Sequence, residues 1–193
     1  IIEFKNNIFS NDNFTDFFSD HLVLLSLERM SLCNIFWEKV LMRSREDFLK
    51  YLSSSDYEFK QYHLKFITAL AKQCFLNEYV YSRSNYELDL VFKLSKKIIS
   101  GEFDEIYIST YACYFSIIEL KELTNRFKHY KSNEPCFNEL IKIQFLEPKF
   151  ERSMMSDIEK IGSIADFSLD IKGQYEENPY PRWRYTNFYS TQK

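Results

Sequence analysis

The residue types that carry acid, nucleophilic or metal chemistry are scattered thinly along this chain. Its histidines are His21, His63 and His129, and its cysteines are Cys33, Cys74, Cys113 and Cys136. The histidines have no metal-ligand spacing among themselves and no Cys-x-x-Cys pair occurs. His129 with Cys136 falls two ligands short of a tetrahedral zinc site, so no metal ligand is expected. Glu176 and Glu177 are adjacent and point in different directions on a helix, which does not suit paired general acid and base work. No serine elbow, His-Glu-x-x-His motif or phosphate loop is present, and Gly101, Gly162 and Gly173 stand alone. The reading is a chain with no catalytic residue and no cofactor of its own.

Two polar positions need an explanation. Asn77 and Glu78 fall at the end of a run, from Asp56 to about Tyr81, that reads as one long helix apolar on most sides. An amide and a carboxylate buried there need partners, and buried carboxylates sometimes mark active sites. Holding helices in register is the commoner use, and both are taken as structural polar candidates. Tyr107, Tyr111, Tyr114 and Phe115 form an aromatic face that could stack a base, but with 18% aromatic residues throughout, core packing is expected.

The elements that position these residues are read as helices. Only 3 Gly and 4 Pro punctuate 193 residues, and 45% of the chain is hydrophobic, enough to enclose a core. Asp20 is placed to cap the second of two short opening helices. Ser31 to Tyr51 carries an apolar face through Leu32, Ile35, Phe36, Val40, Phe48 and Leu52, with Arg43, Arg45 and Glu46 on the polar side and a possible break near Arg43 to Arg45. In the long run from Asp56, Gln61, Lys65, Thr68 and Lys72 form a narrow polar stripe. Ser84 with Glu87 makes a capping box, and Gly101 suits the other end of that helix. A helix follows from Asp104 to His129. Another begins at Pro135 and is expected to stop at Glu147 because Pro148 breaks the bonding pattern; Lys149 to Ile161 and Asp166 to Glu177 are further helices. No repeat of 20 to 50 residues is visible. The expected fold is all-α, a non-repetitive bundle of about seven or eight helices, with an extended Pro-rich C-terminal arm.

At residues 174–183 the string QYEENPYPRW closely resembles the segment that precedes the catalytic domain in a family of bacterial S-adenosylmethionine-dependent methyltransferases, many of them linked to tetratricopeptide repeats. A second string, QCFLNEYVY at residues 73–81, is similar to the central helical segment of the same family's pre-catalytic region. The resemblance extends from about residue 20 onward. It implies a helical domain over 1–177 and an arm over 178–193 leading to a methyltransferase domain that this sequence does not include. The family's repeats are likewise not in these residues, and the chain reads as a piece of something longer. S-adenosylmethionine is then implied for the parent chain, not for these residues.

In that reading two prolines stiffen the arm, and Tyr175, Glu176, Asn178, Tyr180, Arg182 and Trp183 become candidates for contact with the neighbouring domain or its ligand. The expected function is an accessory module that docks its own downstream catalytic domain and shapes substrate access, with a protein substrate a possible further partner. The alternative is a free-standing interaction module that binds a partner helix or peptide. A net charge of -3 offers no field for a nucleic-acid backbone. No apolar run reaches the roughly 20 residues that span a bilayer. Neither partner is expected, and the reading places the chain in the cytoplasm.

Overall fold

The computed structural model describes residues 12–30, 32, 34–53 and 58–154, the side chains of 12–15 excepted. The chain divides into two units, Ile1–Arg152 and Ser153–Lys193, and the architecture below is that of the first. The helix expected over 166–177, the domain boundary after 177 and the arm lie outside the described residues, as do the arm candidates Tyr175, Glu176, Asn178, Tyr180, Arg182 and Trp183.

Every regular element among the described residues is helical, and the order is non-repetitive. The elements run α1 (Asp12–Ser19), α2 (His21–Arg29), α3 (Ile35–Ser53), α4 (Gln61–Leu76), α5 (Asn85–Ser100) and α6 (Glu105–Ala112), then two 3-10 turns (Ile117–Glu119 and Lys121–Leu123). They continue with α7 (Thr124–His129), α8 (Pro135–Ile141), a π-helical turn (Lys142–Leu146) and α9 (Glu147–Met154). α4 is the central element. It packs against α1, α2, α3, α6 and α8, most extensively against α6. Phe66, Ile67 and Leu70 of α4 are fully buried with Leu41 and Phe48 of α3, each such side chain contributing about 1.5–3 kcal/mol.

The helix starts with local capping signals form as expected. Asp20 accepts from the N–H groups of Leu22 and Val23, and Asp104 from those of Ile106 and Tyr107. Ser84 and Glu87 close the capping box on α5, which ends at Gly101 with φ of 121°, a conformation that glycine adopts without a steric penalty.

Elsewhere the structure corrects the expectations. α3 is continuous through Arg43 to Arg45, and Arg45 is in the core while Ile35 and Phe36 are exposed. α4 starts at Gln61, where the Nδ1 of His63 accepts from the Lys60 N–H, and not behind Asp56. In its expected polar stripe Thr68 and Lys72 are buried, Thr68 against the Ser109 hydroxyl and Lys72 in ion pairs with Glu28 and Glu139. The segment from Asp104 to His129 is not one helix. It breaks after α6, where the Gln144 side chain accepts from Ile117 N–H and donates to the carbonyls of Ala71 and Ala112.

Nor does Pro148 end the helical run that begins at Pro135. The Glu147 N–H bonds to the Lys142 carbonyl, five residues back, and this wider turn carries the chain past the proline ring into α9. With no N–H at position 148 to meet it, the Gln144 carbonyl accepts from the Ser116 hydroxyl at 3.1 Å.

Candidate functional site

The string at residues 73–81 lies at the end of α4, and it forms a turn rather than the continuation of a helix. α4 stops at Leu76; the Glu78 N–H then bonds to the Phe75 carbonyl and the Tyr79 N–H to the Cys74 carbonyl at 2.8 Å. These overlapping bonds close the helix end in the usual way, but they require a left-handed residue, normally glycine. Here Glu78 (φ 56°) and Tyr79 (φ 58°) both take that conformation, the two non-glycine residues with positive φ among those described. A helix continued to Tyr81 would carry the chain past the bundle. The turn instead brings it back so that α5 can place Glu87 beside α3.

Several members of the string pack or bond within the fold, while Val80 is exposed. Gln73, with its amide oriented to satisfy its neighbours, donates to the carbonyls of Leu27 and Met30 and accepts from the Leu32 N–H, closing the end of α2. Cys74 and Phe75 are core residues. Tyr79 packs edge-on against Phe75 and turns its hydroxyl toward Ser116, while Asn77 and the buried Tyr81 face each other. The Asn77 amide and the two tyrosine hydroxyls complete no hydrogen bond of ordinary geometry. Burial pushes the pKa of both tyrosines up, so they stay neutral phenols.

Beneath the turn lies a buried ion pair that sequence reasoning missed. The Arg45 side chain is 1% exposed. Its Nη2 donates to the Ser82 carbonyl at 2.7 Å and to Glu87 Oε1 at 3.3 Å, and its guanidinium carbon stands 4.1 Å from the centre of the Tyr114 ring. The Tyr114 hydroxyl donates to the same Glu87 oxygen at 2.9 Å, and the second oxygen accepts from the Ser84 N–H and hydroxyl. Burial opposes ionisation of Glu87, but the Ser84 and Tyr114 hydrogen bonds and the Arg45 charge outweigh it, and the carboxyl is held below its ordinary range. Burial also opposes the charge on Arg45, and the surrounding Tyr114, Cys74, Glu87 and Cys113 outweigh it. Both groups are therefore charged in the interior. The one sequence clue was Glu87 itself, since a capping-box carboxylate on the buried side of its helix has a second oxygen to satisfy.

A shallow cleft of about 440 Å³ opens at the other end of α4, between His21, Glu28, Gln61, Lys65, Glu134 and Cys136. Its charges are of both signs, Gln61 bonds Glu134 across it, and Glu28 is held by Lys72. Among the described residues no group of three or more His, Cys, Asp or Glu side chains is placed to hold a metal ion. No described helix is long and apolar enough to cross a membrane. No family model matches this chain, and no curated protein or solved structure matches it either.

Proposed function

We propose that this chain is the helical accessory module of a larger S-adenosylmethionine-dependent methyltransferase, docking the catalytic domain and shaping access to it. The observation that carries the reading is the string QYEENPYPRW at residues 174–183, supported by the second string at 73–81. What the second string does in this fold suits a scaffold. The Gln73 side chain closes the end of α2, the backbone N–H groups of Glu78 and Tyr79 close α4, and Arg45 and Glu87 pair with each other in the interior. Such a knot fixes the geometry of the bundle.

The experiment is a calorimetric titration with S-adenosylmethionine of residues 1–193 and, separately, of the whole gene product including all that follows Lys193. The reading predicts no heat with the first and a micromolar site in the second. A site in residues 1–193, or none in either, contradicts it.

A further inference from the structure

We propose that the outer face of α5 is a self-docking surface, through which two copies of this chain pair antiparallel about a two-fold axis. The inference is independent of the methyltransferase reading. α5 already has a core face, made of Leu90, Val91, Leu94 and Ile98 with Glu87. A second apolar set, Leu88, Phe92 and Ile99, is 36%, 60% and 39% exposed, with half-buried Ser95 among them. At 100° per residue these four fall within an arc of roughly 60°, one continuous stripe.

The stripe is its own complement. Leu88 and Ile99 stand equally far from the midpoint of the helix between Lys93 and Leu94, and so do Phe92 and Ser95. An antiparallel second copy therefore sets the Phe92 ring of one chain over the small Ser95 of the other, twice, and Leu88 against Ile99 at both ends. Isologous contacts of this kind close on themselves.

Charge selects the orientation. Asp89 and Lys96 lie on the same flank of the stripe, and Lys96 already holds its ammonium 4.3 Å from the Phe92 ring centre, at the edge of the seam. In the antiparallel arrangement Asp89 of each copy is offset from Lys96 of the other by roughly 3 Å along the axis, within reach of an ion pair. A parallel two-fold pairing would put these flanks on opposite sides of the seam, so that neither Asp89 could reach a Lys96 across it. One helix stripe is much smaller than a standard interface, so the association is weak and reversible.

Sedimentation equilibrium of the 193-residue chain from about 10 μM to about 1 mM tests this. The expected result is a monomer–dimer equilibrium that Phe92→Glu weakens at least about tenfold. Asp89→Lys should weaken it also, and Asp89→Lys with Lys96→Asp should restore it, all with unchanged helical circular dichroism since these side chains are exposed. A wild-type monomer across the range, a dimer indifferent to Phe92→Glu, or a charge swap that fails to restore pairing would overturn the proposal.

Discussion

Arg45 and Tyr114, 69 positions apart in sequence, bind the same oxygen of Glu87 while the guanidinium carbon stands over the phenol ring, 4.1 Å from its centre. The contact ties α3, α5 and the end of α6 together at the point where the chain turns back after α4. Because both charges are buried, the pair stabilises the fold only while it is whole.

Arg45→Met should therefore cost about 3–5 kcal/mol in urea unfolding, because it leaves the Glu87 carboxylate charged and enclosed. Adding Glu87→Gln, which keeps the capping box with Ser84, should recover part of that loss. A double variant as unstable as the sum of the two single variants would mean that the two residues are not coupled.

The left-handed turn gives a second prediction. Glu78→Gly removes the steric cost of that conformation, on the order of 1–2 kcal/mol, against a smaller rise in unfolded-state entropy. It should raise the urea midpoint slightly, whereas Glu78→Val should lower it. If both variants lose stability equally, the side chain of Glu78 matters more than its backbone.

His63 is enclosed by Phe18, Phe48, Phe59 and Tyr62, and its Nδ1 accepts from the Lys60 N–H. Burial, helped by the Lys60 charge, lowers its pKa to about 4. The unfolded chain takes up this proton near pH 6.5 and the native one does not, so native stability is full above about pH 6.5 and falls as the pH drops toward 4. This group alone accounts for about 3 kcal/mol at most over that window. Melts of wild type against His63→Gln should show the slope in the first and a flatter profile in the second; parallel profiles would assign the slope to other groups.

What the sequence made legible follows from the range of the forces involved. Asp20, Ser84 with Glu87, Gly101, Asp104 and Pro135 act on backbone groups two to four residues away, and each helix boundary they imply is present. Arg45 and Lys72 fall on polar helix faces by periodicity, and the partners that allow their burial, Glu87, Glu28 and Glu139, lie far along the chain. The turn after Leu76 gave no local signal, since the two left-handed positions are Glu78 and Tyr79 rather than glycine. The passage of the helix through Pro148 depends on a π-helical turn and on Ser116, neither of which periodicity can reveal. Of the candidate residues, Asn77 and Glu78 sit in that turn, and those of the arm lie outside the described residues.

The proposed function assigns Arg182 and Trp183 to contact with a downstream methyltransferase domain. Its most direct test is the rate of methyl transfer from S-adenosylmethionine by the whole gene product, compared with the Arg182→Ala, Trp183→Ala double variant. The account predicts a rate lower by at least about tenfold, with the melting temperature of residues 1–193 nearly unchanged. A gene product without methyl transfer, or a double variant as active as the wild type, would contradict it.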